Sequence, residues 1–158
     1  MKYQKSLFFK LTARSLPVVL IVLFAATIFS QTSEKTTAQA EAGPIRSSPA
    51  YAEILLRKTE IQADLEAFSA GYTEANPKIL DLRIEIGSLD KELEKVFGVK
   101  PAETGKLTLA LGKLIVKKAS LETDLARLMR SYNKDNPDVK RAKRRVEIFD
   151  AAIKEVLR

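Results

Sequence analysis

Apolar residues recur at intervals of three and four positions along most of the chain beyond residue 50. This interval predicts amphipathic α-helices, and a density of about two apolar residues in seven is typical of helices that pair along a narrow seam, as in a coiled coil. The pattern is interrupted after Tyr72, after Val96 and after Tyr132, so it predicts an all-α protein with four helices. The seam of the first helix runs through Tyr51, Ile54, Lys58, Ile61, Leu65, Phe68 and Tyr72.

The second half of this pattern repeats the first. A shift of 60 residues aligns the two halves with apolar residues on apolar residues almost throughout. Chance similarity between two helical segments would preserve this rhythm but would rarely preserve polar identities as well. The shift also aligns Tyr72 with Tyr132, Asn76-Pro77 with Asn136-Pro137, Lys58 with Lys118, and Asp90 with Asp150. The chain therefore contains an internal repeat.

Each repeat has one turn, at Asn76-Pro77 and at Asn136-Pro137. Asn is a favourable N-cap and Pro a favourable first helical residue, while the residue before a Pro is kept out of the α conformation. The same argument starts the first helix at Ser48-Pro49, and Gly98 is the expected stop of the second helix.

These signals divide the chain into two tandem antiparallel helical hairpins. We expect the first hairpin at residues 49–98 and the second at residues 106–158, joined by a connector at residues 99–105. The pattern leaves open whether the hairpins pack side by side as a four-helix bundle or stack end to end.

Residues 1–30 are predicted to be an export segment. A basic start is followed by an uncharged apolar stretch about as long as the core of a signal peptide. The segment is either a cleaved signal or an uncleaved membrane anchor, and a buried core helix is the remaining alternative. Residues 31–48 are small and polar and predict a flexible linker. The helical part is therefore expected outside the cytoplasm, in the periplasm or anchored to the inner membrane.

Composition excludes several kinds of chemistry. The chain has no Cys and no His, so disulfides, Cys/His metal sites and catalysis by Ser-His or Cys-His pairs are excluded. The formal net charge is +7, but four of the 27 basic residues lie in the first thirty residues, and 23 bases then remain against 20 acids. This bias is too small to predict a nucleic-acid partner. We expect no enzyme activity, no cofactor and no metal site.

The two aligned Lys residues, Lys58 and Lys118, occupy seam positions where a charge needs a partner or access to water. Closing each hairpin at its Asn-Pro turn brings Lys58 level with Asp90, and Lys118 level with Asp150. We therefore predict that each Lys pairs with its Asp across the hairpin and penalises shifted registers.

One run of basic residues, Lys140–Arg145, is a candidate site for an anionic ligand. Lys143 and Arg145 are expected to pair with Glu122 and Asp124, which leaves three outward-facing bases for an anionic polysaccharide or lipid: Lys140, Arg141 and Arg144.

Two further sets of residues are assigned a structural role. The acid pairs Asp81/Glu85 and Asp90/Glu94 lie off the seam and are expected on solvated faces. Tyr72 and Tyr132 could stack on sugars, but their seam positions favour packing at the ends of the hairpins.

The region around each turn resembles the periplasmic coiled coil of bacterial polysaccharide co-polymerases, the chain-length-determinant proteins of exopolysaccharide and O-antigen assembly. That family often carries a Leu-rich heptad, a Tyr, three residues, and then a His-Pro or Asn-Pro turn before a second heptad. The matching stretches are LEAFSAGYTEANPKILDLRIEIGSLDKEL and LETDLARLMRSYNKDNPDVKRAKRRVEIF. The resemblance covers only the two hairpins, and it implies an accessory role in polysaccharide assembly or export.

The leading hypothesis is thus a non-enzymatic structural or interaction module of the bacterial cell envelope. Its expected partners are another protein or a second copy, bound through the heptad helices, and the membrane if the N-terminal segment is uncleaved. The alternative is a periplasmic binding or chaperone-like helical protein that engages an anionic ligand through the basic last helix.

Overall fold

Four α-helices account for most of residues 43–158, which are the residues that the computed structural model describes. They are α1 (Pro49–Ser69), α2 (Pro77–Phe97), α3 (Leu109–Ser131) and α4 (Pro137–Leu157), with a 3-10 helix at Pro101–Lys106 between α2 and α3. There is no strand in this part of the chain, so the predicted all-α class is confirmed there. The predicted export segment at residues 1–30 and the linker as far as residue 42 lie outside the described residues.

Three of the four helices begin where the capping residues predicted. Ser48, Asn76 and Asn136 are the N-caps of α1, α2 and α4, and each is followed by Pro. Asn76 Oδ1 accepts a hydrogen bond of 2.8 Å from the Lys78 amide, and Asn136 Oδ1 accepts one of 2.8 Å from the Asp138 amide. The turns of the two repeats are therefore built alike.

The contacts between α1 and α2 run in opposite directions along the two helices. Near the start of α1, the Tyr51 ring lies 5.7 Å from the Phe97 ring at the end of α2. Near the end of α1, Lys78 Nζ lies 5.9 Å from the centroid of the Phe68 ring.

Contacts between α3 and α4 follow the same order. Lys106 Nζ, just before α3, donates a hydrogen bond of 3.3 Å to the Leu157 carbonyl at the end of α4. Leu128, near the end of α3, lines a groove with Asp138 and Arg141 at the start of α4.

The two repeats pack side by side because α3 contacts α1 and α2 as well as α4. Gly112 permits the closest approach: a Cβ built on it would lie 2.8 Å from Glu53 Cβ and 3.0 Å from Ala50 Cα. The Ala50 amide also donates a hydrogen bond of 3.2 Å to the Leu107 carbonyl. Since α4 packs mainly on α3, the centre of the fold is α1, α2 and α3.

The hydrophobic core confirms this centre. Its largest fully buried side chains are Ile54, Ile61, Ile79, Leu89, Val96, Leu107, Leu111, Ile115 and Leu121. From α4, only Val139 and Ile153 are buried. The seam of the second repeat is thus less completely covered than that of the first.

The expectation of a flexible linker up to residue 48 is wrong for residues 43–48. Residues 43–46 form a short helical turn that places Ile45 in the hydrophobic core, where it is buried. Arg46 lies over the Phe97 ring, 6.0 Å from its centroid. Small polar residues dominate this segment and favour a linker, but the single apolar side chain of Ile45 is enough to anchor it to the core.

The expectation that Tyr72 and Tyr132 pack at the hairpin ends is also wrong. Both side chains are exposed. α1 ends at Ser69 and α3 at Ser131, so each Tyr lies beyond the helical periodicity that would have placed it on the seam. The Tyr72 ring lies beside the Phe68 ring, at a centroid distance of 5.8 Å.

Within residues 43–158, no helix is long and apolar enough to cross a membrane.

Candidate functional site

A cluster of charges surrounds the buried side chain of Lys118, at the centre of α3. Lys118 Nζ lies 2.7 Å from Asp150 Oδ1 on α4 and 2.7 Å from Glu92 Oε1 on α2. Glu122, one turn further along α3, lies 3.6 Å away. One ammonium group therefore connects three helices.

The structure brings together both Lys–Asp pairs that the repeat predicts. In the first repeat, Lys58 Nζ lies 2.5 Å from Asp90 Oδ1. The Lys58 side chain is 22% exposed, whereas that of Lys118 is 6% exposed. The difference arises because α3 packs on three helices, whereas α1 packs on two.

Sequence reasoning missed Glu92 as a partner of Lys118. Glu92 belongs to the other repeat, and the repeat pattern carries information only about pairing within a hairpin. Side-by-side packing of α2 on α3 brings this carboxylate to Lys118, and Glu92 Oε1 also accepts a 2.7 Å bond from Lys95 on its own helix. Lys95 at the next turn is the only local signal that the carboxylate needs a cation.

The cluster shifts the pKa values of its members in opposite directions. Burial alone would lower the pKa of Lys118, but its bonds to Asp150 and Glu92 outweigh burial, so its pKa lies well above the usual value. The bonds from Lys118 and Lys154 lower the pKa of Asp150 to about 2. Both groups are therefore charged throughout the physiological range.

Glu92 is incompletely satisfied. Its second oxygen, Oε2, is buried and has no hydrogen-bond partner among residues 43–158. An unpaired buried oxygen of this kind opposes folding. No group of three or more carboxylates is arranged to hold a metal ion in this part of the chain. In the cluster itself, the Lys118 ammonium lies between the carboxylates.

A second set of ion pairs joins the repeats near the turns. Asp81 on α2 accepts a hydrogen bond of 2.8 Å from Arg127 Nε on α3 and another from Arg130. Although burial raises the pKa of Asp81, these bonds outweigh it and lower the pKa below the usual value. Glu85 lies 2.8 Å from Arg57 on α1.

The expectation that Asp81 and Glu85 lie on a solvated face is therefore wrong, because both are buried. They are off the seam with α1, but α2 has a second buried face against α3. The other acid pair agrees better with the expectation, since Asp90 is half-buried and Glu94 is exposed.

The basic run at the start of α4 is exposed, but its pairing differs from the prediction. The three bases expected to be free have acidic neighbours: Lys140 lies 3.4 Å from Asp135, Arg144 lies 3.3 Å from Glu147, and Arg141 pairs with Asp138.

Lys143 and Arg145, which were expected to pair with Glu122 and Asp124, have no ion pair with any residue from 43 to 158. The reason is that the two acids are engaged elsewhere. Glu122 accepts a hydrogen bond from Ser88 on α2, and Asp124 lies 3.3 Å from Arg127 Nη1.

Two open grooves flank α3 at the end of the molecule that carries the turns. One, of about 320 Å³, lies between α3 and α4 and is lined by Leu128, Asp138, Arg141, Ala142 and Arg145. The other, of about 550 Å³, lies between α2 and α3 and is mainly apolar. It is lined by Leu80, Arg83, Ile84, Ala126, Met129 and Arg130.

In comparisons with known proteins, no family model, no curated protein and no solved structure matches this chain. The resemblance to polysaccharide co-polymerases therefore stays a prediction.

Proposed function

We propose that the chain is a non-enzymatic structural or interaction module of the bacterial cell envelope that presents two antiparallel helical hairpins of fixed register. The observation that carries this proposal is the Lys118 cluster, in which one buried ammonium lies 2.7 Å from carboxylates on α2 and on α4. The module keeps its long helical faces available for partners.

The cluster supports a fixed register because charges tolerate displacement poorly in an apolar seam. Sliding α4 along α3 would remove Asp150 from Lys118 and leave apolar residues in its place. Breaking a buried ion pair from one side costs about 3–5 kcal/mol, whereas a paired cluster adds little net stability over apolar packing. Its contribution is therefore selection of one arrangement.

The envelope location is supported by the export-type pattern of residues 1–30. The accessory role in polysaccharide assembly or export is supported by the resemblance of the two Tyr-x3-Asn-Pro turns to those of the co-polymerase coiled coils. In this role the hairpins would act as struts of constant length beside the export machinery.

The alternative, an anionic ligand bound through α4, has weaker support. Each of the three bases that would bind it already has an acidic neighbour: Lys140, Arg141 and Arg144. All three are exposed and would gain little from a further exposed ion pair in water. A pull-down with an anionic polysaccharide, an anionic lipid and a neutral glycan at two salt concentrations separates this alternative from the module.

Location is tested first. A reporter enzyme that is active only outside the cytoplasm is fused after Arg158 of the full chain, and activity is measured in intact cells. We expect activity in the envelope fraction. Accumulation of an inactive fusion in the cytoplasm would contradict the proposed location.

Deletion of the gene then tests the polysaccharide role, with the amount and length distribution of the exported polysaccharide as readout. We expect an altered distribution that is restored by the wild-type chain and by Lys117→Ala, an exposed neighbour, but not by Lys118→Ala. An unchanged distribution after deletion would refute the accessory role.

A further inference from the structure

The two repeats dock on each other through faces that the internal repeat duplicates. In the first repeat, the side of α2 that meets α3 carries Asp81, Ser88 and Glu92, which bond to Arg127, Glu122 and Lys118 of α3. We call this side of the first repeat its docking face, and α3 is the helix inserted against it. Every position in this contact has an equivalent 60 residues away in the other repeat.

The equivalent docking face of the second repeat lies on α4 and is more exposed than that of the first. Its positions are Arg141, Ile148 and Ala152. Ile148 is 54% exposed, whereas its equivalent, Ser88, is 6% exposed. A large apolar side chain therefore lies open at a position that the first repeat buries.

The helix equivalent to the inserted α3 is α1, and its outer side is uncovered as well. Ile115 of α3 is 1% exposed, and its equivalent in α1, Leu55, is 43% exposed. Leu56, equivalent to the half-buried Val116, is also exposed. One copy thus has an open docking face on α4 and an open outer side on the inserting helix, α1.

The charges on these two surfaces are complementary. In the groove between the repeats, Ala126 of α3 lies opposite Leu80, Arg83 and Ile84 of α2. The equivalent positions put Glu66 of α1 opposite three bases of α4: Lys140, Lys143 and Arg144. Glu66 and Lys143 have no ion pair with any residue from 43 to 158, so both can pair with a second copy. Opposite charges at equivalent positions favour α1 over other helices as the occupant.

We propose that the inserting helix, α1, of one copy packs on the docking face of α4 and the adjoining side of α3 in a second copy. The stacking of the two repeats then continues from one molecule to the next. This inference deepens the proposed function, on which it rests, by naming a second copy of the chain as the partner. Ala52 of α1 carries a Cβ where Gly112 of α3 carries none, so the helices of the two copies lie slightly further apart at that end than α1 and α3 do.

The contact is heterologous, because the two copies use different surfaces. Every open assembly therefore retains one free docking face and one free inserting helix, and association continues until a ring closes or a filament forms. A symmetric dimer, in contrast, would use one surface twice.

Cysteine crosslinking in the full chain tests the contact directly, because the natural sequence has no Cys. Single variants Glu66→Cys and Arg144→Cys are oxidised alone and mixed, in the membrane or in a mild detergent. We expect a disulfide-linked dimer from the mixture and no such dimer from either variant alone. The matched control, Glu66→Cys mixed with Glu94→Cys on an exposed position of α2, should give none. Dimers from the single variants, or none from the mixture, would overturn the proposal.

Complementation of two blocked surfaces supplies a second test. Leu55→Asp blocks the inserting helix, and Ile148→Asp blocks the docking face. Each variant alone should lose self-association and keep the helical circular dichroism of the wild type, while the mixture should form a one-to-one dimer through the remaining intact pair of surfaces. The control Met129→Asp changes an exposed apolar residue on neither surface and should associate like the wild type.

A charge exchange separates the salt bridges from apolar packing. Glu66→Lys should abolish association, and its combination with Lys143→Glu and Arg144→Glu should restore it. A mixture of Leu55→Asp and Ile148→Asp that stays monomeric would refute the head-to-tail contact. That result would leave the proposed function standing, because location and polysaccharide phenotype are measured independently of self-association.

Discussion

Removing the ammonium of Lys118 should destabilise the fold far more than removing that of Lys58, although the two residues are equivalent in the repeat. The Lys118 side chain is 6% exposed and has two carboxylate oxygens at 2.7 Å. Lys58 has one, and both members of its pair remain in contact with water. The comparison therefore isolates burial, since residue type and repeat position are the same.

The magnitudes follow from the partners that each substitution strands. Lys118→Met leaves Glu92 and Asp150 without their shared cation, and breaking a buried pair from one side costs about 3–5 kcal/mol. Lys95 and Lys154 still neutralise part of this charge, so we expect the lower end of that range. Lys58→Met breaks a partly exposed pair, whose loss costs about 0.2–1 kcal/mol.

The assay is urea unfolding of residues 43–158, followed by circular dichroism. A matched third variant combines Lys118→Met with Glu92→Met and removes the most deeply buried acid with the cation. We expect it to recover a large part of the stability lost in Lys118→Met, because replacing a buried pair by apolar residues is often neutral or stabilising. The coupling energy comes from the double-mutant cycle completed by Glu92→Met.

Equal losses of unfolding free energy in Lys118→Met and Lys58→Met would refute this reasoning, because burial of the ion pair would then make no difference to stability. A double variant as unstable as the sum of its single variants would mean that Lys118 and Glu92 do not interact.

Three further predictions concern close packing, the chain entering α1 and acidity. Gly112→Ala should destabilise the fold, because the new Cβ would overlap α1. Gly87→Ala, whose new Cβ meets nothing within 4 Å, should instead stabilise α2 by about 1 kcal/mol. Urea unfolding compares the two variants, and a stabilised Gly112→Ala would contradict the close packing of α3 on α1. Ile45→Ala should lower the free energy of unfolding by about 2–5 kcal/mol in the same assay, because Ile45 is a core residue. An unchanged free energy of unfolding would support the predicted linker at residues 43–48 instead. Because the pKa of Asp150 is about 2 when folded and near 3.8 when unfolded, its contribution of up to about 2 kcal/mol is complete above pH 4 and is lost as the pH falls from about 4 to about 2. Asp150→Asn should flatten that part of the stability curve, and an unchanged curve would exclude Asp150 as its source.

Local signals in the sequence predicted most of the secondary structure. The Asn-Pro pairs and Ser48-Pro49 placed three helix starts at the right residue, because N-capping and the fixed φ of Pro act within one turn of helix. The start of α3 was less clear, since its N-cap, Thr108, follows a 3-10 helix that the heptad pattern did not reveal.

Packing between the repeats could not be predicted in the same way. A heptad pattern reports one apolar seam for each helix, but α2 and α3 each have a second buried face that contains polar and charged residues. Asp81 and Glu92 looked solvated or unremarkable in the sequence because their partners, Arg127 and Lys118, belong to the other repeat. Nothing local to α2 indicates that a helix 26 or more residues away in sequence covers it.

A comparison of identical and differing positions in the two repeats indicates which residues lie between the repeats. Positions that are identical in both repeats, such as Lys58/Lys118 and Asp90/Asp150, form contacts within a hairpin, which both copies of the repeat must make. Positions that differ, such as Asp81/Arg141 and Ser88/Ile148, face the neighbouring repeat in the first copy and solvent in the second.

A duplicated hairpin that stacked only on its twin would need no apolar or complementary charged residue on its open faces. Polar residues would be expected there instead, since solvent is the neighbour. Leu55 on α1 and Ile148 on α4 contradict that expectation, because both are apolar and exposed. Glu66 contradicts it as well, because its equivalent position in the stack faces the bases of α4. The differences between the repeats therefore fit an unfinished stack better than a closed one, with a second copy as the next unit.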